Sequence, residues 1–460
     1  YRGRLFVMQS GGGIATAETM ARFPVRMIES GPAAGALMAA AYGKLTGHAD
    51  LVAFDMGGTT AKLSLIVDGT PQTIREFELH RIRLQAGSGI PMNIQAIDLV
   101  EIGAGGGSIA RVETGVIRVG PDSAAAAPGP ICYGLGGVEP TVTDANLVLG
   151  YLNPGYFLGG RMRLDVDGAR QGIDVRVARP LGLSVAEAAW GIHQVVTTNM
   201  ELATRVVSIE RGYDPRRLAL AAFGGSGPVH GCRLAQALGI PRAILPAAAG
   251  VTSAIGLLAA EVRFDLSRSY VRRLDALDPA YLARILAEMT AQGAAVVREA
   301  GASGTASVAC SADMRYVGQG YELSVPFPDR PVDGRTVTAL RDAFDRVYAL
   351  RYGYSDANAA VELITVSVTV TGAGPAVRLP EQPTGARDVA EARKPDRSAY
   401  FPETGGYVQC AVYDRARLPV GARIEGPAVV EEPESTTVLP PGTAAEVDPW
   451  ANLLVRFGAG

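Results

Sequence analysis

The sequence places an acid, two glycines and two threonines together between two apolar runs. Asp55 follows LVAF, and Gly57, Gly58, Thr59 and Thr60 come before the apolar run LSLIV. Glycine lets consecutive backbone N–H groups approach a phosphate closely, threonine hydroxyls add donors, and an acid at a strand end can hold hydrated Mg²⁺. A hairpin turn accounts for the glycines alone. The full set favours a phosphate loop, in which Asp55 is a candidate catalytic residue and the candidate metal-positioning residue.

A second glycine-rich loop stands between an apolar strand and a helix in AAFGGSGPVHG. Its candidate nucleotide-binding residues are Gly224, Gly225, Ser226 and Gly227. Glycines at the start of a helix leave backbone N–H groups free, and the helix dipole favours a negative charge there. The alternative is a tight strand-to-helix crossover that binds nothing.

A third loop, GAGGGSIA, holds more glycines than a turn requires, and Gly105 and Gly106 are its candidate nucleotide-binding residues. The run IDLVEIG precedes it and contains Asp98 and Glu101. On a strand these two carboxylates point to opposite faces, so they cannot both meet one substrate. Glu101 is nearer the glycines and is the second candidate catalytic residue.

Other charged residues near these loops have simpler interpretations. Lys62 either contacts a phosphate or points to solvent or to a partner on the next strand. Asp144 begins a short helix, where a capping role is expected. Arg205, Glu210 and Arg211, near the end of a long helix, are expected to form structural ion pairs.

Composition excludes several classes of protein. The net charge is −3 with no basic tract, which argues against nucleic acid as a partner. The most apolar segment, residues 243–260, is interrupted by proline and glycine and is rich in alanine, so we expect a packed helix and no membrane partner. The four cysteines form no CxxC pair, and the four histidines form no HxxxH pair. These spacings predict a cytoplasmic protein without a disulfide framework or a cysteine-based zinc site.

Strands and helices alternate over residues 1–265, with glycine loops at strand ends, and this pattern predicts an α/β fold with sites at the carboxyl ends of strands. Within it we expect a strand and then a helix over 21–45, and a long helix over 184–212. The sequence pattern over residues 266–375 predicts an α+β domain of order αββαβ. The pattern over residues 376–460 predicts a small β-rich domain.

Taken together, the motifs of this chain resemble the hydantoinase A family, which includes N-methylhydantoinase A, 5-oxoprolinase and the acetone carboxylase β subunit. The resemblance runs almost from end to end. It is carried by VMQSGGGIATAE, ESGPAAG, FDMGGTTAK, EIGAGGGSIA, EPTVTDANLVLGYLNP, VSIERGYDPRRLALAAFGGSGPVH, SAIGLLAAEVRFD and MRYVGQGYEL.

The resemblance implies the ribonuclease H-like fold of sugar kinases, actin and heat-shock ATPases, in which two α/β lobes close on ATP and Mg²⁺. DMGGTT is then the second phosphate loop, FGGSGPVH the adenosine-side loop, and SGPAAG and GVTSAIGLL the two connecting helices. The family's first phosphate loop, on an N-terminal lobe, has no counterpart in this sequence, so we expect the chain alone to be a poor ATPase. Many members also carry an acid where Lys62 stands.

The implied activity is that of a nucleotide-binding subunit of an ATP-dependent cyclic-amide hydrolase of the hydantoin or oxoproline type. Such an enzyme phosphorylates the carbonyl oxygen of its substrate, so that water can then open the ring. Two alternatives stay open: a subunit of an ATP-dependent ketone carboxylase acting on acetone or acetophenone, and a non-catalytic nucleotide-binding module. The family works with a B-type subunit, so we expect a hetero-oligomer.

Overall fold

A computed structural model describes residues 3–79, 87–327, 331–373, 379–382 and 388–457. The chain divides into two compact units. Unit 1 comprises Tyr1–Ser30 and Ala259–Ala376, and unit 2 comprises Gly31–Leu258 and Val377–Gly460.

Strands and helices are numbered in chain order. The strands are β1 Phe6–Met8, β2 Ile14–Thr16, β3 Leu51–Met56, β4 Ala61–Val67, β5 Thr70–Pro71, β6 Thr73–Leu79, β7 Ile90–Ile97, β8 Leu99–Ile102, β9 Ser108–Glu113, β10 Val116–Ser123, β11 Ala219–Phe223, β12 Arg242–Leu245, β13 Val262–Arg273, β14 Ser303–Tyr316, β15 Leu323–Pro326, β16 Val361–Ala373, β17 Arg393–Phe401, β18 Gly406–Asp414, β19 Arg423–Glu425, β20 Ala428–Glu431, β21 Thr436–Leu439, β22 Thr443–Val447 and β23 Leu453–Phe457. The helices are α1 Ala17–Arg22, α2 Ser30–Thr46, α3 Val142–Val148, α4 Val166–Ile173, α5 Arg179–Leu181, α6 Val185–Val207, α7 Gly227–Leu238, α8 Thr252–Ala259, α9 Pro279–Glu299 and α10 Thr336–Tyr352.

Unit 1 is built on a six-stranded sheet of order β1-β2-β13-β16-β14-β15. Helix α9 packs on this sheet, and Gly293 allows the approach because a Cβ there would lie 2.5 Å from the Val370 side chain. Sequence patterns predict α9, β14, β15, α10 and β16 but miss β13, in which arginines and serines interrupt the apolar residues.

Unit 2 is built on a nine-stranded sheet of order β19-β22-β23-β12-β11-β3-β4-β5, with β8 paired to β4. Strands β12, β11 and β3 run parallel, and β4 turns back antiparallel to β3. The central strands are apolar on both faces, as expected for parallel strands covered by helices on each side. Phe54, Leu63 and Leu220 are fully buried there.

Two helices of unit 2 are made of small residues and cross closely. A Cβ added to Gly256 of α8 would overlap the Ala34 carbonyl oxygen of α2. A Cβ added to Gly35 would lie 2.8 Å from the Ser253 hydroxyl. The alanines and glycines of SGPAAG and SAIGLL therefore serve close helix packing.

Two sequence-based expectations about single elements need correction. The predicted strand before α2 is wrong, because residues 21–28 end α1 and then form a 3-10 turn at Pro24–Met27. Proline suits the first position of such a turn, since that position needs no N–H donor. The long helix is shorter than predicted: α6 ends at Val207, and a 3-10 turn leads to Gly212 at a φ of 85°.

The C-terminal segment contributes strands to two sheets. Strands β17, β18, β20 and β21 form a four-stranded sheet, but β19, β22 and β23 continue the nine-stranded sheet beside β12. This segment therefore lies in unit 2. The three predicted domains remain predictions, and the boundary between 375 and 376 falls outside the described residues. Across the described ranges, no helix is long and apolar enough to cross a membrane.

Candidate functional site

The first two glycine loops leave the same edge of the sheet in unit 2. Strands β3 and β11 are parallel neighbours, and Phe223 stands in register with Asp55. The turn 57–60 that joins β3 to β4 therefore begins beside the loop 224–226 that joins β11 to α7. The Ser226 N–H donates to the Met56 carbonyl oxygen at 2.9 Å and ties the two loops together.

The third glycine loop interlocks with the first. The N–H groups of Gly106 and Gly107 donate to the carbonyl oxygens of Gly57 and Gly58 at 3.0 and 2.6 Å. Thr143 on α3 then donates to the Gly106 carbonyl oxygen through its N–H, at 2.7 Å, and through its hydroxyl, at 2.8 Å. The predicted nucleotide-binding loops thus form one cluster, and α3 is attached to it.

Two glycines of this cluster have no room for a side chain. A Cβ on Gly105 would lie 2.6 Å from backbone atoms of both Gly58 and Thr59. Gly224 has a φ of 87°, and a Cβ there would lie 2.5 Å from the Asp55 carboxylate. The glycines are therefore required by close contact between main chains, which a free-standing hairpin turn would not need.

Asp55 lies at the centre of this cluster, partly buried at the end of β3. Its Oδ2 accepts a hydrogen bond from the Ser253 hydroxyl at 3.2 Å. Burial raises the pKa of Asp55, while the Ser253 hydrogen bond and the positive charge of Lys62 oppose the shift. Asp55 is therefore a positioned carboxylate whose charge lacks full compensation within the described chain.

Glu101 and Lys62 form an ion pair on adjacent strands. They are register partners on β8 and β4, and Lys62 Nζ lies 3.0 Å from Glu101 Oε1. Lys62 Nζ also donates to the Thr60 hydroxyl at 2.8 Å. The expectation that Lys62 pairs on the next strand is confirmed. The pair places a positive charge at the end of the phosphate-loop turn.

A cavity of about 180 Å³ adjoins the loop cluster. Its walls are the glycine loops, the region around α3 and the turn between β20 and β21. They comprise Gly58, Tyr133, Thr143, Asn146, Leu152, Asn153, Tyr156, Phe157, Leu158, Gly225, Ser226, Val229, Glu431, Glu432, Pro433, Glu434, Ser435 and Thr436. One end is thus lined by main chain and hydroxyls, and the rest by aromatic, amide and acidic side chains.

Buried polar groups hold the far wall of the cavity. Glu431, 1% exposed, forms ion pairs with Lys394 and Arg397 and accepts a hydrogen bond from Asn153 Nδ2 at 3.0 Å. Ser435 is 7% exposed, and its hydroxyl has no hydrogen-bond partner in the part of the chain that the structure describes. A buried hydroxyl that lacks a partner and lines a cavity can serve a ligand.

Asp144, Arg205 and Arg211 have structural roles. Asp144 completes a capping box at α3 with Thr141, which confirms the capping prediction. Arg211 forms an ion pair with Asp98, with Nη2 to Oδ1 at 3.0 Å, and Arg205 pairs with Glu201 one turn earlier on α6. Asp98 therefore takes no part in the loop cluster.

Sequence patterns missed the cavity walls contributed by α3 and by the turn after β20. Asn146 lies within the motif EPTVTDANLVLGYLNP, but nothing in that motif marks Asn146 as a site residue. Its position three residues after Thr143, on the same helical face, is the one local signal that it belongs to the site. The polar turn EEPEST between two apolar strands is the corresponding signal for Glu431 and Ser435.

The residues present fit a hydrated Mg²⁺ and not a metal caged by protein side chains. Among the described residues, no group of three or more His, Cys, Asp and Glu side chains could hold an ion. Mg²⁺ keeps several waters and is usually held by one or two carboxylates together with substrate phosphates. Asp55, beside the backbone amides of the glycine loops, meets that requirement.

Two family models match this chain. A model of the hydantoinase/oxoprolinase family matches residues 1–266, and a model of the hydantoinase/oxoprolinase C-terminal domain matches residues 280–456. The caprolactamase subunit alpha of Pseudomonas jessenii is 36% identical over 96% of this chain and 63% of its own length.

Two solved structures share the fold. The ATP-dependent caprolactamase of Pseudomonas jessenii matches with a TM-score of 0.83 and 34% identity, over 98% of this chain and 65% of its own. A nucleotide-free acetone carboxylase matches with a TM-score of 0.79 and 26% identity, over 98% of this chain and 64% of its own. The predicted fold class is confirmed. The chain spans 62% to 66% of the length of three curated relatives that it matches, and 36% of the length of the 5-oxoprolinase 1 of Arabidopsis thaliana.

Proposed function

The chain belongs to the hydantoinase/oxoprolinase family, and on that premise we propose that it is the nucleotide-binding part of an ATP-dependent cyclic-amide hydrolase. The observation that carries the proposal is the contact of three glycine loops with one another beside Asp55, at one end of a cavity that also has aromatic and amide side chains in its walls. The relatives named above are an ATP-dependent lactamase and an ATP-dependent carboxylase.

The Gly57, Gly224 and Ser226 N–H groups donate to carbonyl oxygens of the chain itself. In this proposal, the N–H groups of Gly58, Thr59, Gly225 and Gly227 bind the phosphates, and the start of α7 adds its dipole. Asp55 would hold a hydrated Mg²⁺. When bound, Mg²⁺ neutralises charge on the phosphates during transfer to the substrate carbonyl oxygen. Lys62 and Glu101 stand on the neighbouring strands, and Glu101 is proposed to act on the substrate or to position Lys62.

Water alone opens an unactivated amide very slowly. Once the amide oxygen carries a phosphoryl group, water adds to the carbon and the ring C–N bond breaks, so that the nitrogen leaves as the amine and the carbon becomes an acyl phosphate. A second water then adds to this carbon, and phosphate leaves with its oxygen to give the carboxylate. The protein supplies orientation and charge neutralisation, and these are the main contributions to phosphoryl transfer.

A ketone carboxylase is the second candidate, because the acetone carboxylase structure shares this fold. For both candidates we propose a B-type partner subunit, because relatives carry the names caprolactamase subunit alpha, acetophenone carboxylase gamma subunit and acetone carboxylase beta subunit. We also propose a cytoplasmic location, since all four cysteines are free thiols.

Nucleotide products separate the two reactions. The full-length protein with its B-type partner is incubated with MgATP and hydantoin, 5-oxoproline or caprolactam, and separately with acetone and bicarbonate. ADP formed with a cyclic amide supports the hydrolase, and AMP formed with acetone supports the carboxylase. Calorimetric titration that detects no MgATP binding would refute both and the non-catalytic nucleotide-binding module as well.

A further inference from the structure

Beside the cavity, a buried chain of hydrogen bonds fixes the orientation of one amide. The Thr197 hydroxyl donates to the His193 carbonyl oxygen at 2.8 Å, so its oxygen accepts from His230 Nδ1 at 3.2 Å. A neutral His230 that donates through Nδ1 must accept through Nε2, which lies 3.2 Å from Asn146 Nδ2. Asn146 Oδ1 then accepts from His193 Nδ1 at 2.8 Å.

Both histidines are held neutral, and this leaves only one possible direction for each hydrogen bond in the network. His193 and His230 are 1% and 0% exposed, and their rings stack with centroids 4.2 Å apart. Two charged rings at this separation would repel each other in a medium of low dielectric constant. Burial lowers the pKa of His230 to about 3 and, together with the charges of His230 and Arg233, holds that of His193 well below its usual range.

On the basis of the proposed nucleotide-binding function, we propose that Asn146 selects the base of the nucleotide and that His193, His230 and Thr197 hold its amide in the orientation that accepts adenine and rejects guanine. Asn146 lines the cavity. Its amide has one N–H and one oxygen lone pair beyond those that it gives to the two histidines.

Adenine offers an amino donor next to a ring-nitrogen acceptor, and this pair matches the oxygen and the N–H of an asparagine amide. On the Watson–Crick edge guanine presents a carbonyl acceptor where adenine has its amino donor and a ring N–H donor where adenine has its ring-nitrogen acceptor, so guanine fits an amide turned the other way round. An asparagine amide has nearly the same shape in either orientation. Discrimination therefore requires neighbours that prevent the turn, and the histidine pair provides them.

The cavity has the other features of a built base site. Tyr133 and Phe157 line it with ring centroids 5.6 Å apart, which offers aromatic faces to a planar ring. The Ser435 hydroxyl, buried without a partner among the described residues, adds one more polar group for the ligand. Thr143, one turn before Asn146, is hydrogen-bonded to the phosphate-loop cluster, so α3 links the two ends of the site.

The test is calorimetric titration of the full-length protein with MgATP, MgGTP and magnesium tripolyphosphate. We expect MgATP to bind about tenfold or more tightly than MgGTP, and the Asn146→Ala variant to lose that preference while it still binds tripolyphosphate as the wild type does. Equal binding of the two nucleotides by the wild type, or an undiminished preference in the variant, would overturn the assignment. Failure to bind any nucleotide would instead refute the proposed function.

A second variant keeps the proposal testable if Asn146→Ala does not fold. Thr197→Val removes the acceptor for His230 Nδ1 and keeps the side-chain shape, so the amide can turn, and the preference for ATP should fall about tenfold. Thr204→Val is the matched control, because Thr204 lies on the same helix, is buried, and donates to the Met200 carbonyl oxygen four residues earlier in the same way. If the two variants have the same preference, the positioning role is wrong.

Nitrogen NMR of the imidazoles provides a readout that a loss of stability does not change. In the wild type, His193 and His230 should both be neutral with the proton on Nδ1. A proton on Nε2 of His230 would contradict the derived orientation of the Asn146 amide.

Discussion

The Ser253 hydroxyl donates a hydrogen bond to Asp55 Oδ2 at 3.2 Å, and this bond connects the start of α8 to the end of β3. A carboxylate in a simple hairpin turn has no need of such a partner from another helix. The bond fixes one oxygen of Asp55 and leaves the other on the side of the glycine loops, beside Gly224.

Asp55→Asn should abolish nucleotide turnover while leaving the fold intact. Asparagine keeps the shape and the hydrogen bond from Ser253 but removes the charge that orients hydrated Mg²⁺, so a rate loss of roughly a thousandfold is expected. The measurement is MgATP hydrolysis with substrate present, together with a thermal melt. Asp68→Asn is the control, because Asp68 lies exposed in the turn at the other end of β4, where asparagine is well tolerated. Normal turnover by a folded Asp55→Asn protein would rule out the phosphate-loop interpretation.

Gly105→Ala should lower the stability of the fold, whereas Gly58→Ala should leave the stability unchanged and test nucleotide binding. The new methyl at 105 would meet backbone atoms at 2.6 Å, so we expect a loss of about 2 kcal/mol in the free energy of unfolding, measured by urea denaturation. Nothing lies within 4 Å of a Cβ at Gly58, so that variant should melt like the wild type. If Gly58 faces a phosphate, its methyl will still weaken MgATP binding. Equal stability of the two variants would show that the loops do not interlock.

Glu101→Gln should distinguish a catalytic carboxylate from a structural one. Its ion pair with Lys62 is partly exposed, with a side-chain exposure of 41% for Glu101, and such pairs contribute about 0 to 1 kcal/mol. We therefore expect an unchanged urea midpoint and a fall in kcat of at least about a hundredfold. A variant with normal kcat would remove Glu101 from the list of catalytic candidates.

The buried histidines should make the protein acid-sensitive from pH 6.5 downward. The folded-state pKa values of His193 and His230 are depressed, so below about pH 6.5 the unfolded chain binds protons that the folded chain does not. Stability should therefore fall with falling pH, by about 1.4 kcal/mol per pH unit for each histidine, until the folded-state pKa values are reached. Urea denaturation between pH 7.5 and 5 measures this slope. In His230→Gln the slope should be smaller by the contribution of one histidine, and an identical slope in both proteins would contradict the assignment.

Patterns in the sequence reveal those parts of the site whose chemistry is local. Asp55 with its glycines and threonines, and the GGSG loop before α7, are recognisable because one short segment carries both the turn and the donors. Gly105 and Gly106 are recognisable for the same reason, although the contact that makes Gly105 necessary is with another loop. The strand after residue 261 is missed because its arginines and serines break the apolar alternation.

Sequence patterns do not predict which residues form the far wall of the cavity. The position of Glu431 depends on Lys394, Arg397 and Asn153, which are distant in the sequence. The role inferred for Asn146 depends on two histidines from different helices, and neither histidine has metal-binding spacing. In these cases packing brings the partners together, and the spacing of the residues along the chain does not predict these contacts.

The cavity is assembled from segments that a ribosome produces at very different times. The turn 57–60 and α3 are made before the second segment of unit 1, whereas the EEPEST turn, with Glu431 and Ser435, is made after all of unit 1. Strand β23, which closes β12, follows still later. The edge of β12 therefore stays open until β23 has been made, and the cavity can retain a ligand only after the EEPEST turn has been translated.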